Sequence, residues 1–187
     1  MGSCPQRHRR LLVALSGPLS AGKTTLAERF RRDRQALVVS ARQILIGRGG
    51  SATDRSELQR RGAELEAQTH GSWLVEPVLD ALKSADNRLV IVDSVRTVAQ
   101  AQSIKQKVPE TILIHLTASE VELSRRFGAG LASGNESSPD VRNHPTETHA
   151  KKVARYAVLV IDTTDLAPAS VFERVASFLD QLSAADR

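Results

Sequence analysis

The sequence predicts an α/β fold in which a parallel sheet is covered by helices on both faces. Two observations carry that expectation. Five short apolar runs recur along the chain, at Leu11–Leu15, Ala36–Val39, Leu89–Val92, Thr111–Leu116 and Ala157–Ile161. Four of the five place Val, Ile and Leu on consecutive positions, the composition of strands buried on both sides. The segments between them are long enough to carry helices, which parallel neighbours need for their crossovers.

The elements follow in order. Leu11–Leu15 leads into Gly17-Pro18-Leu19-Ser20-Ala21-Gly22-Lys23-Thr24, and Thr24–Asp33 reads as the first helix. A short helix over Arg42–Ile46 follows the second strand. Arg55–Thr69 carries Leu58 and Leu65 one heptad apart, with small Gly62 between them on the same face. Trp73–Lys83 aligns Leu74, Val75, Val78, Leu79 and Leu82 on one stripe. Val98–Lys107, Ser119–Phe127 and Ala169–Leu182 complete the helices. The last repeats Val171, Val175, Phe178 and Leu182 at helical spacing, and Ser119 with Glu122 has the form of a capping box. Gly128–Pro145 keeps no periodicity and is rich in Gly, Pro, Ser and Asn, so residues 128–145 are expected to form a lid-like loop. One domain over 11–182 is expected, with flexible tails at 1–10 and 183–187.

The bulk properties, 41% hydrophobic and 25% charged residues, are ordinary for a soluble globular protein. A chain of 187 residues suits one domain with a real core. No apolar run reaches the length of a membrane span. A single cysteine, Cys4, excludes an internal disulfide and suits a reducing cytoplasm. The net charge of +5 admits a nucleic-acid surface or a pocket for phosphates. Aromatic residues are only 3% of the chain, too few for base-stacking platforms, so nucleic acid is not the expected partner.

The chemistry begins at residues 17–24, which read G-x-x-x-x-G-K-T, the phosphate-binding P-loop. Its glycines let successive backbone N–H groups converge on one anion. The following helix presents its N-terminal partial positive charge to the same place. Gly17, Ser20, Ala21, Gly22, Lys23, Thr24 and Thr25 are therefore expected to hold the phosphates of ATP. Lys23 supplies a point charge to the β- and γ-phosphates, and the Thr24 hydroxyl is a ligand for Mg²⁺. A second constellation follows at Val90-Ile91-Val92-Asp93-Ser94-Val95-Arg96. Asp93, at a strand end, can order Mg²⁺ or cap the next helix. Arg96 can point into the crevice at the carboxyl ends of the strands or lie on an exposed helix face.

These features resemble the nucleoside monophosphate kinases. The carriers are the P-loop, the Asp93-Ser94-Val95-Arg96 step, where the family has D-G-x-R, and an Arg-bearing helix before a lid-like loop. Residues 53–62, Thr-Asp-Arg-Ser-Glu-Leu-Gln-Arg-Arg-Gly, followed by Gly71-Ser72-Trp73-Leu74, are similar to the acceptor-side insertion of phage-type deoxynucleoside monophosphate kinases and their bacterial relatives. Ala157–Thr164 looks like the closing strand of small-molecule P-loop kinases. The resemblance implies a three-layer P-loop NTPase fold with a five-stranded parallel sheet in the order 2-3-1-4-5. It also implies ATP and Mg²⁺ as cofactors, Thr163 near the adenine, and an acceptor-side insertion over about 42–83. Arg96 would hold the acceptor's phosphate.

Other residues keep two readings each. Arg125 and Arg126 stand at the lid's entrance, either completing the charge cage of the transferred phosphoryl group or forming a solvated helix end. Arg142 lies inside the lid, and the usual second lid arginine soon after the first is missing. Arg42 can bind acceptor phosphate or sit on the surface. Arg55 can reach the acceptor or cap its helix. Trp73 is expected in the core, with base stacking as its other role, and His115 as a satisfied core histidine. The function expected is transfer of the γ-phosphoryl group of ATP to a nucleoside or deoxynucleoside monophosphate. A kinase of an unphosphorylated alcohol and a regulatory NTPase module are the alternatives. Nothing in the sequence specifies an oligomeric state.

Overall fold

Alternating apolar residues on the strands divide the core into two layers, one on each side of a single sheet. A computed structural model describes residues 10–49, 55–84, 89–132 and 152–185. Its strands are β1 (Leu11–Ser16), β2 (Leu37–Ser40), β3 (Leu89–Asp93), β4 (Ile112–Thr117) and β5 (Leu159–Asp162). All pairs are parallel, in the order β2-β3-β1-β4-β5. The expected fold and strand order are both present.

On β1, Leu12 and Ala14 face one layer while Val13 and Leu15 face the other, the period of two that a strand imposes. The first layer packs α2 (Ala41–Gly47), α3 (Arg55–Thr69), a 3₁₀ turn (Ser72–Leu74), α4 (Val75–Lys83) and α5 (Val98–Lys107) on the sheet. The second packs α1 (Lys23–Arg34), α6 (Glu120–Ala132) and α7 (Pro168–Ala185). There Phe30 meets Phe172 with ring centroids 4.6 Å apart, and the Arg29 guanidinium lies 4.8 Å from the Phe172 centroid. Truncating Phe30 would cost about 3–5 kcal/mol, the range for a buried Phe→Ala change. The three central strands are covered on both faces, whereas β5 is an edge strand that leaves Val160 52% exposed. Its consecutive aliphatic residues overstate its burial.

Three expectations need correction. α6 continues through Ala132, so residues 128–132 are helix and not loop. Gly128 has nothing within 4 Å of its missing Cβ; an exposed glycine costs a helix only about 1 kcal/mol, too little to end it. The remainder of the expected lid, including Arg142, lies outside the described residues. α7 runs to Ala185, so residues 183–185 are helical where a tail was expected. The Ser183 hydroxyl donates to the Leu179 carbonyl at 2.9 Å, and the alanines that follow are strong helix formers. Arg10, assigned to the other tail, donates from Nη1 to the Leu82 carbonyl. The capping box at α6 is half made. Ser119 Oγ accepts from the Glu122 N–H at 3.3 Å. The Glu122 carboxylate turns instead to Arg125 and Arg126, and the Ser119 N–H donates to Thr164 Oγ1 at 2.9 Å. The stronger charge-assisted pair takes the carboxylate.

Candidate active site

The turn from β1 into α1 places the P-loop at the carboxyl end of the central strand. Gly17 has φ of 140°, and a Cβ there would stand 2.1 Å from the Leu116 carbonyl oxygen, so only glycine fits between β1 and β4. Ser20 adopts φ 64° and Gly22 φ 95°, curling the chain so that α1 starts at Lys23. Lys23 is 9% exposed and donates from Nζ to the Gly17 carbonyl at 2.8 Å and the Pro18 carbonyl at 2.6 Å. Its ammonium is therefore held inside the loop that would cradle phosphate. Thr25 is exposed and lines the same crevice, together with Ser20, Ala21, Gly22 and Thr24.

The β3 end joins this loop. Thr24 Oγ1 donates to Asp93 Oδ2 at 2.8 Å, across an interval of sixty-nine residues in sequence. Asp93 is buried and faces the P-loop instead of capping α5. Thr97 does the capping, its Oγ1 accepting from the Gln100 N–H at 3.1 Å. The Thr24 hydroxyl and Asp93 carboxylate form an all-oxygen pair beside the loop. That donor set fits Mg²⁺, a hard cation commonly bound through one or two carboxylates, waters and substrate phosphates.

Beneath the P-loop, His115 is buried and shares a 3.0 Å hydrogen bond through Nδ1 with Ser16 Oγ. Burial pushes its pKa down to about 4, and the nearby Lys23 charge adds to the effect. It is neutral near pH 7, a satisfied core histidine as expected.

At the outer end of the crevice, Arg126 donates to Glu122 Oε1 at 2.7 Å, to Thr163 Oγ1 at 3.0 Å and to the Thr163 carbonyl at 2.7 Å. These bonds fix its guanidinium against the loop after β5. Thr163 is buried and lines the crevice. Arg125 is exposed and holds Glu122 through two 2.7 Å bonds. Hydrogen bonds from Arg125 and then Arg126 hold the Glu122 carboxyl at a pKa of about 2. Asp162 is also held below its ordinary range, by the Thr164 hydroxyl and N–H.

The opposite end is built by α2, α3 and the loop between β3 and α5. Arg42 and half-buried Arg96 line it, as do Leu45, Leu58, Gly62 and Ala63. The Arg55 side chain lies outside the described residues. Trp73 is buried, as expected of a core residue, yet it also borders the crevice. The polar wall was not anticipated: Gln59, Glu66, Thr97 and Gln100 all line this end. Two signals could have revealed it. Gln59 and Glu66 are a heptad apart beside the Leu58–Leu65 stripe, and Thr97-x-x-Gln100 has the form of a capping box. The crevice as a whole has a volume of about 1530 Å³.

A family model described as an AAA domain matches residues 13–145, well over half of the sequence. The chain belongs to this AAA-domain family. No curated protein sequence matches it. Among solved structures, a gluconokinase from Sinorhizobium meliloti 1021 is 11% identical with a TM-score of 0.61, covering 96% of this chain and 97% of that one. A shikimate kinase from Acinetobacter baumannii in complex with shikimate is 14% identical with a TM-score of 0.63, covering 93% and 95%. A sugar kinase from Janibacter sp. HTCC2649 is 18% identical with a TM-score of 0.57, covering 94% and 97%. This AAA-domain protein thus has the P-loop kinase fold along nearly its whole length. The likeness in fold does not single out nucleoside monophosphates. Among the described residues, no helix is long and apolar enough to cross a membrane.

Proposed function

We propose that this protein is an ATP-dependent kinase acting on a small phosphorylated acceptor, a nucleoside or deoxynucleoside monophosphate. One observation carries the reading. A single crevice is lined by the P-loop, by Asp93 and by both Arg42 and Arg96. Its volume of about 1530 Å³ exceeds the ~300–1,000 Å³ of an ordinary single-ligand pocket. That is room for a nucleotide donor and an acceptor side by side.

In the reaction, an acceptor phosphate oxygen forms a bond to the γ-phosphorus. The bond from that phosphorus to the β–γ bridging oxygen breaks, and ADP leaves. Such a transfer depends on positioning and charge neutralisation more than on covalent chemistry. The loop N–H groups and Lys23 would hold the donor's phosphates. Thr24 and Asp93 would hold Mg²⁺, which supplies further neutralisation of phosphate charge when bound. Arg96 and Arg42 would pair the acceptor's phosphate, the planar guanidinium matching two phosphate oxygens at once. Thr163 would border the adenine, with Arg125 and Arg126 beside it. The catalytic unit would be one domain over 11–182, with 42–83 on the acceptor side.

A second reading is an unphosphorylated acceptor. The shared fold with a gluconokinase, a shikimate kinase and a sugar kinase favours it. An Arg fork serves a carboxylate as well as a phosphate, so Arg96 fits an acidic alcohol too. A thermal-shift screen separates the two. Ligand at one hundred times its Kd stabilises by about 2.7 kcal/mol, several degrees for a domain of this size. The first reading predicts such a shift with a nucleoside monophosphate added to Mg·ATP, and none with the parent nucleoside, gluconate or shikimate. A shift only with an unphosphorylated compound would favour the second.

A further inference from the structure

The polar wall of the acceptor end converges on one carboxylate. Glu66, on α3, accepts the Trp73 Nε1–H at 3.2 Å and the Gln100 Nε2–H at 2.9 Å on Oε2. Its Oε1 accepts the Thr97 hydroxyl. Three donors from the 3₁₀ turn and the start of α5 are thus gathered on a residue of α3. Gln100 is only 4% exposed and relays the arrangement, its Oε1 accepting the Arg96 N–H at 2.8 Å. One residue earlier, the Val95 N–H donates to the Leu15 carbonyl at 2.8 Å. The Arg96 backbone is therefore pinned on one side by the central strand and on the other by the Glu66–Gln100 pair.

We propose that Glu66 is a positioning residue that sets Arg96 for the acceptor through Gln100, its carboxylate being occupied by protein donors. This inference rests on the kinase reading above, because it takes Arg96 as the acceptor's anion site. The hydrogen-bond inventory gives it a distinguishing consequence. In Glu66→Gln, the amide oxygen can still accept from Trp73 and Gln100. The amide N–H₂ can donate to Thr97 Oγ1, which has a second lone pair besides the one serving the Gln100 N–H. The network survives without the negative charge. In Glu66→Ala it loses its centre, and Gln100 is left as a poorly held buried amide.

The test uses the whole chain and two readouts. Amide exchange at Arg96 reports the pinning without any ligand. It should speed up by about tenfold in Glu66→Ala and in Gln100→Ala, the order expected for one lost hydrogen bond, and stay unchanged in Glu66→Gln. Trp73 is the sole tryptophan, so its emission reports this end alone. Titrating each variant with the ribo- and deoxyribonucleoside monophosphates, one at a time, gives acceptor affinity. Weaker binding in Glu66→Ala and Gln100→Ala, full rescue in Glu66→Gln, and unchanged ATP affinity are expected. If Glu66→Gln binds as weakly as Glu66→Ala, the charge itself meets the acceptor and the proposal is wrong. Unchanged Arg96 exchange in both alanine variants also overturns it. Absence of a monophosphate response in the wild type would instead remove the phosphorylated-acceptor reading, leaving the exchange result to judge the pinning. A folded state and the ATP affinity of each variant are checked by an ATP-induced thermal shift.

Discussion

His115 makes the most quantitative prediction. Its folded pKa of about 4 lies below the ordinary 6.5 because burial disfavours the imidazolium and Lys23 adds like charge. Between those two values the unfolded chain binds the proton and the folded chain does not. Stability therefore rises with pH across that window, is fully present above pH 6.5, and is lost as pH falls towards 4. The whole shift corresponds to at most about 3 kcal/mol at 1.36 kcal/mol per unit. Urea unfolding from pH 4 to 7, comparing wild type with His115→Gln, measures the effect. The wild type should lose stability relative to the variant on acidification. Glu122 does not confuse the comparison. Its pKa is depressed to about 2, so its contribution is present above its ordinary 4.5 and lost mainly below the histidine window. The Lys23 contribution predicts in turn that removing that charge raises the His115 pKa, by less than burial has lowered it. Parallel stability curves for wild type and His115→Gln would refute the reasoning, as would an imidazole that titrates near 6.5 by NMR.

Three further outcomes follow from the site and its frame. Lys23→Ala should abolish phosphoryl transfer at saturating ATP while the circular dichroism spectrum and unfolding cooperativity persist, since Lys23 Nζ donates to the Gly17 and Pro18 carbonyls of the loop; retained turnover would exclude its role. Asp93→Asn keeps the shape facing Thr24 but loses the charge, so the maximal rate and its Mg²⁺ dependence should fall far more than nucleotide affinity; an unchanged rate and Mg²⁺ profile would count against the metal assignment. Gly71→Ala should cost at least about 2 kcal/mol in urea unfolding, because φ is 84° and the new Cβ would lie 2.5 Å from Ala99 and Gln100 backbone atoms; a loss under about 0.5 kcal/mol would show that the junction of the 3₁₀ turn with α5 is not tight.

The sequence revealed the fold where periodicity and backbone chemistry point the same way. Val13 and Leu15 against Leu12 and Ala14 mark a strand covered on both faces, and the glycine pattern of residues 17–22 marks the turn that follows. The juxtaposition of Thr24 with Asp93 was anticipated because Asp93 ends β3 while Thr24 follows the loop that leaves the carboxyl end of β1, its neighbour in the sheet. Element ends were less legible. Gly128 reads as a breaker, yet its helix continues, because propensity is a small term against continuous backbone hydrogen bonding. The polar wall of the crevice was hidden for a different reason. Glu66 and Gln100 are ordinary polar helix residues in sequence, and only the packing of α3 and α5 against the same 3₁₀ turn brings them together. Side-chain choice at the caps was hidden likewise: Glu122 has a helix N–H terminus and two arginines within reach, and the charged partners win.

On the proposed function, the crevice joins ATP to an acceptor that already carries phosphate. Steady-state transfer by wild type and Arg96→Lys tests it most directly, with each nucleoside monophosphate, its parent nucleoside, gluconate and shikimate as acceptors. A monophosphate should be the best acceptor. Arg96→Lys, which keeps the charge but loses the planar fork, should raise the KM of that acceptor by about tenfold, roughly 1.4 kcal/mol, with the KM for ATP nearly unchanged. A better rate with an unphosphorylated acceptor, or an acceptor KM indifferent to Arg96→Lys, would contradict it.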